Sequence, residues 1–116
     1  MAVTIPRSAH LELGETLRRL GGDEEILREL LEVFGKDAPN KLEGVRSALG
    51  SGDMPQVARW AHALKGASAV VGAEECKRLA VELERAAESS NAETVQVLFR
   101  SLKDEMLIVL ELINQG

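Results

Sequence analysis

Two histidines are the residues of this 116-residue chain best suited to chemistry, and they stand in different settings. A neutral imidazole, the common form near about pH 7, acts as a nucleophile or as a proton acceptor. His10 precedes the first good helical segment, so we expect it to be a solvated terminal residue. His62 lies in the middle of an amphipathic segment and is therefore the candidate reactive residue.

The helical wheel of this segment places His62 on the solvent side. The predicted buried stripe is Val57, Ala61, Leu64, Ser68 and Val71. At roughly 100° per residue, His62 points about 140° away from the middle of that stripe. On the same side lie Ala58, Gly66, Ala69 and Ala73, which are all small. Lys65 lies one turn further on, within side-chain reach of the imidazole.

Gly66 is the least expected residue of this surface, since a glycine inside a helix costs about 1 kcal/mol relative to alanine. At a solvent-facing position, that cost indicates that something approaches the backbone closely. Each feature alone has an ordinary explanation: an exposed histidine, a solvated lysine and a tolerated glycine. Their coincidence on one face favours a reactive site, but the geometry does not name the reaction.

Apolar residues recurring every three or four positions predict five helices, bounded by caps and glycines. The segments are Leu11 to Leu20, Asp23 to Leu49, Asp53 to Gly72, Glu74 to Ala87, and Ser90 to Asn114. Asp23 and Asp53 are the predicted caps of the second and third helices, and Ser90 with Glu93 forms a capping box for the last. Pro39 predicts a kink or brief break between Gly35 and Pro39.

Four amphipathic helices joined by short loops predict an all-α antiparallel four-helix bundle with a short additional N-terminal helix. We expect one domain over residues 1–116, with residues 1–9 flexible. The net charge of -5 argues against nucleic-acid binding. No apolar segment has membrane-spanning length, no secretory signal is recognisable, and the one cysteine, Cys76, fits a reducing compartment. We therefore expect a cytoplasmic protein, with a monomer as the default.

The residues around His62 also resemble a known family. Residues 62–73 read HALKGASAVVGA, and they closely resemble the signature of histidine-phosphotransfer (HPt) domains of two-component phosphorelays. That pattern is H-x-L-K-G-x-S, then a small residue, two variable positions and G-A. The similarity covers about Leu11 to Ile113, and its motif is continuous through the helix and its stop.

The resemblance implies a role for each matching residue. His62 matches the phospho-accepting histidine, Lys65 the lysine that stabilises the phosphoryl group, and Gly66 the glycine that gives the partner room. Ser68 matches a small polar position with a packing role, and Gly72 the glycine that ends the helix. We expect the binding surface around them to include Ala58, Arg59, Ala69, Leu13, Leu17 and Phe34. A core role is at least as good an account of Leu17 and Phe34.

The implied function is that of a phosphocarrier, since the chain has no nucleotide-binding segment and is too short to include a kinase's ATPase domain. Its expected partners are response-regulator receiver domains and a hybrid histidine kinase. We expect no cofactor on this chain and Mg²⁺ on the receiver. A phosphohistidine gains negative charge, which Lys65 can offset.

Three other functions compete with that of a phosphocarrier. Kinases usually carry an acidic residue directly after the phosphorylated histidine, whereas Ala63 stands there. A di-iron bundle needs paired Glu-x-x-His motifs, but Arg7 and Arg59 occupy the glutamate positions, and no metal site is expected. A non-catalytic helical adaptor explains the bundle equally well and remains the open alternative. It does not explain why the histidine, lysine and glycine coincide.

Overall fold

The bundle is seen in a computed structural model that describes residues 10–115. Within them lie five helices: α1 (Leu13–Arg19), α2 (Glu24–Gly50), α3 (Met54–Val71), α4 (Glu74–Glu88) and α5 (Ala92–Gln115). Helix α3 packs against α2 and α4, α4 packs against α5, and α2 closes the bundle against α5. The short α1 contacts α2 and α3. The predicted all-α antiparallel bundle with an additional N-terminal helix is confirmed, whereas the expectation for residues 1–9 lies outside the described residues.

Helix caps follow the sequence signals in two cases and depart from them in a third. The Asp23 carboxylate accepts the backbone N–H groups of Glu25 and Ile26, and Asp53 accepts that of Gln56, as predicted. The Ser90–Glu93 capping box is wrong. Ser90 has φ of 54° in the turn before α5, and the Asn91 side chain accepts the Thr94 N–H instead. An N-cap needs an extended backbone, which Ser90 does not have.

The brief break expected near Pro39 is also wrong, because α2 is continuous from Glu24 to Gly50, while the alternative, a kink within the helix, stays a prediction. Pro39 lies on the exposed side of the helix, where water can satisfy the carbonyl of Gly35 that loses its donor. The residue after Pro39 forms an additional side-chain hydrogen bond to the helix backbone, since Asn40 Nδ2 donates to the Lys36 carbonyl over 3.3 Å.

The packing of α3 against α2 depends on a glycine that the sequence pattern did not single out. The Trp60 indole lies directly over Gly44, where a methyl group would overlap the ring. This contact fixes the antiparallel register of the two helices. The five residues of the predicted α3 stripe are all buried, so the opposite side of α3 faces outward. Across residues 10–115, no helix is both long enough and apolar enough to cross a membrane.

His10 is not simply the solvated residue that its position suggested. Its Nδ1 lies 2.6 Å from Oε2 of Glu105, a residue of α5 that is only 8% exposed. The next residue, Leu11, is buried in the core, and the Glu12 N–H donates to the Gly72 carbonyl over 2.8 Å. The segment before α1 is therefore attached to the bundle by a polar pair, an apolar anchor and a backbone bond.

Cys76 provides a direct test of this core. Burial, together with the nearby Glu105 and Glu75 carboxylates, raises the pKa of the Cys76 thiol to about 12. Since the thiolate is the reactive form, the folded protein should react only very slowly with a disulfide reagent at about pH 8. Unfolding in urea should restore ordinary reactivity, measured by the release of the coloured thiol. Rapid labelling of the folded chain would contradict this packing.

Candidate functional site

Helix α3 presents His62 near the middle of its 18 residues, with 64% of the side chain exposed. The imidazole Nδ1 lies 3.0 Å from Oε2 of Glu84, which projects from α4. A carboxylate accepts a hydrogen bond, so it favours the tautomer with the proton on Nδ1. That tautomer leaves Nε2 with its lone pair available, and no described residue forms a hydrogen bond with it.

Lys65 reaches the same carboxylate as His62. Its Nζ lies 3.4 Å from Oε1 of Glu84, and 33% of its side chain is exposed. Glu84 is 21% exposed and therefore joins the imidazole to the ammonium group through its two oxygens. Its negative charge is offset by Lys65, and the lysine is held one turn from the histidine on the same helix. In the described part of the chain, no group of three His, Cys, Asp or Glu side chains is arranged to hold a metal ion.

Glu84 is the residue of this polar cluster that the sequence did not single out. It lies 22 residues after His62 on a different helix, so no local spacing connects the two. The sequence offers one indication of it: a helical wheel of α4 places Glu84 at the edge of the buried stripe that contains Leu83, and therefore near the neighbouring helices. Matching that face to His62 requires the register between α3 and α4, which the wheel does not supply.

Gly66 opens the surface beside His62. It is exposed, and a methyl group built on it would meet no atom within 4 Å. Packing within the described chain therefore does not require glycine here. Ala58 and Ala69 line the same side, partly buried, and Arg59 is exposed one turn before His62.

Several residues expected at the surface are buried instead. Ala73 is fully buried because it follows the end of α3, where the helical wheel no longer applies. Leu13 and Phe34 are 4% and 3% exposed, so a partner cannot contact them, and that part of the predicted binding surface is wrong. Both belong to the core because they lie on the inner faces of α1 and α2. Leu17 is partly buried against the same core.

Ser68 and Gly72 have structural surroundings. Ser68 is fully buried, and its hydroxyl has no hydrogen-bond partner among the described residues. Gly72 ends α3 with φ of 79°, a conformation that favours glycine. A methyl group there would lie 2.6 Å from Thr16 Oγ1 and 2.8 Å from the Glu12 carbonyl oxygen. Gly72 therefore lets the segment around α1 approach the end of the reactive helix.

Large apolar side chains are exposed on α2 and α3 beside the small residues. Val33 is 56% exposed and Val70 is 50% exposed. The register set by Gly44 against Trp60 places these two valines at the same level of the antiparallel pair. Unlike Leu13 and Phe34, both valines are accessible from outside.

Replacing Gly66 by alanine separates stability from function. Space is available and alanine favours the helix, so Gly66→Ala should raise the free energy of unfolding by up to about 1 kcal/mol. The added methyl group should slow phosphoryl transfer to a partner, because it occupies the approach to His62. Urea unfolding and a transfer assay measure the two effects. A stabilised variant with an unchanged transfer rate would show that Gly66 has no role in access.

Comparison with known proteins identifies the family. The sequence model of one protein family, the Hpt domain, matches residues 29–113. The chain therefore belongs to the Hpt domain family and has the role of a phosphorelay carrier. No curated protein matches it significantly.

Solved structures agree with this assignment. Histidine-containing phosphotransfer protein B (HptB) from Pseudomonas aeruginosa PAO1 has 27% identity and a TM-score of 0.87, over 94% of this chain and 95% of that one. The HPT domain of a sensor hybrid histidine kinase from Shewanella has 25% identity and a TM-score of 0.81, over 92% of each chain. The maize phosphotransfer protein ZmHP2 has 20% identity and a TM-score of 0.79, over 93% of this chain and 80% of that one, which bears on the fold alone.

Proposed function

We propose that His62 carries the phosphoryl group, accepts it on Nε2 from the aspartyl phosphate of a receiver domain or from a partner kinase, and passes it to another receiver. The observation that carries this proposal is the bond from Nδ1 to Glu84, which leaves Nε2 exposed beside the open surface of Gly66. A nucleophile at the middle of a packed helix is held in position, as in-line phosphoryl transfer requires.

The transfer step needs no added base, because the attacking nitrogen carries no proton. The Nε2 lone pair attacks phosphorus, the bond from phosphorus to the aspartyl oxygen breaks, and the aspartate leaves as a carboxylate. The Nδ1 proton stays on the ring, so the product is a phosphoimidazolium. Glu84 stabilises that positive ring through the bond it already forms with Nδ1. The reverse sequence transfers the group to the next receiver.

Lys65 has a second partner once the phosphoryl group arrives. In the structure its ammonium contacts Glu84 over 3.4 Å, which is long for a charged hydrogen bond. A phosphoryl group on Nε2 presents negatively charged oxygens that accept hydrogen bonds more strongly, and the flexible lysine side chain can turn to reach them. We infer that Lys65 turns from Glu84 toward the phosphoryl group and offsets its charge.

The remaining parts of the reaction belong to the partner. The acidic residues and the Mg²⁺ ion would come from the receiver domain, which would dock over His62, Gly66 and the exposed valines of α2 and α3. A hybrid histidine kinase with its own receiver is a second source of the phosphoryl group. We propose that the carrier works as a monomer in the cytoplasm, where receivers are phosphorylated.

A transfer assay tests the assignment of His62. Receiver domains carrying ³²P on aspartate are mixed with the wild-type chain and with His62→Gln, and acid-labile label on the chain is followed. We expect label on the wild type and none on a folded His62→Gln variant. Equal labelling of the variant would place the phosphoryl group elsewhere. A wild type that binds active receivers but takes no label would support the adaptor alternative.

The role of Glu84 has its own prediction. Glu84→Ala removes the acceptor for Nδ1, so the imidazole loses its fixed tautomer and orientation, and transfer should slow by about tenfold or more. Glu84→Gln keeps an oxygen acceptor and should retain more of the rate. Glu88→Ala is the matched control, since Glu88 is exposed on α4 one turn further on. Stopped transfer time courses compare the variants, and equal rates for Glu84→Ala and Glu88→Ala would contradict the role.

A further inference from the structure

We propose that Arg19 is a specificity-determining residue that selects receivers with a carboxylate placed opposite the C-terminal half of α3. The inference rests on the proposed function, because it concerns the partner that docks on His62. It assigns a role to α1, which the chemistry of the site itself does not use.

Arg19 is the last residue of α1, and its side chain crosses to α3. Nη2 donates to Thr16 Oγ1 over 3.2 Å and to the Ala69 carbonyl over 3.4 Å. Ala69 lies on the side of α3 that carries His62 and Gly66, about two turns beyond the histidine. At 1.5 Å per residue, the separation along the helix is about 10 Å. These two bonds hold an exposed guanidinium at the margin of the reactive face.

The charge of Arg19 is only partly offset within the described chain, by the Glu15 carboxylate one turn earlier on α1, whose pKa is lowered by Arg18 and also by Arg19. No carboxylate of residues 10–115 forms an ion pair with it, and Nε and Nη1 donate to no described group. Its neighbour Arg18 differs, because it forms a two-pronged pair with Glu15 on the same helix. In a chain of net charge -5, this exposed arginine has no direct ion pair among the described residues and places a positive charge next to the reactive face.

A typical protein interface centred on His62 is large enough to include Arg19. A specific interface covers about 800 Å² on each partner, equivalent to a disc of about 16 Å radius. A receiver centred on His62 therefore extends beyond the Ala69 carbonyl that Arg19 contacts. Covering a guanidinium without an acceptor is unfavourable, whereas a carboxylate at that place forms a bidentate pair. Receivers with such a carboxylate are favoured, and those with an apolar or basic residue there are disfavoured.

If Arg19 only stabilised the fold, its removal would change different measurements. The Ala69 carbonyl is in the last turn of α3, where a cation is favourable to the helix dipole. Loss of that contact alone would lower the stability of the chain and would not change how transfer depends on salt. Loss of an ion pair at the edge of an interface raises KM and weakens the salt dependence, because such pairs act mainly on association.

The experiment compares the full chain with Arg19→Ala, Arg19→Lys and the adjacent control Arg18→Ala. Each protein accepts phosphate from a receiver domain that labels the wild type, at several salt concentrations, and thermal unfolding is recorded alongside. We expect Arg19→Ala to raise KM by about tenfold with kcat nearly unchanged and with a weaker salt dependence. Arg19→Lys should recover part of the effect, and Arg18→Ala should behave as the wild type.

Two results would overturn the proposal while leaving the carrier function in place. One is an Arg19→Ala variant with the KM and salt dependence of Arg18→Ala. The other is a variant whose only change is a lower unfolding temperature. A wild-type chain that accepts phosphate from no active receiver would contradict the proposed function itself, and the role of Arg19 with it.

Discussion

The carboxylate of Glu84 joins α4 to the reactive side of α3 by contacting His62 Nδ1 over 3.0 Å and Lys65 Nζ over 3.4 Å. This carboxylate favours the tautomer of His62 with the proton on Nδ1, leaves Nε2 exposed and holds the lysine nearby. This arrangement requires α3 and α4 to pack in a fixed register, and α4 in turn is held by α5. The chemistry of a single exposed histidine therefore depends on the packing of the whole bundle.

The reactive helix is held at two levels by close approaches of backbone and side chain. In its first half, two residues before His62, Trp60 lies against Gly44 and sets the position of α3 on α2. At its end, Gly72 allows the Glu12 and Thr16 region to approach, and the Glu12 N–H bonds the Gly72 carbonyl. Between them, the exposed surface at Gly66 is empty. The helix is thus rigid where it packs and open where a partner must approach.

The local features of this fold could be predicted from sequence, whereas its long-range pairs could not. Helical periodicity and the caps at Asp23 and Asp53 depend on residues within one turn, and they were found correctly. The contact of His62 with Glu84 and that of His10 with Glu105 join distant segments whose register no periodicity reveals. The expectation that Leu13 and Phe34 extend the docking surface is wrong, since both pack inward, in agreement with the core role that was the alternative for Phe34.

We infer that Nε2 of His62 is the phosphorylated atom because Glu84 holds the ring proton on Nδ1. Nitrogen-15 NMR of the imidazole can locate both the proton and the phosphoryl group, in a His10→Gln background where His62 is the one histidine. We expect a protonated Nδ1 in the resting protein and a phosphorus coupling to Nε2 after phosphorylation. A resting ring with its proton on Nε2, or a phosphoryl group on Nδ1, would show that Glu84 does not select the reactive nitrogen.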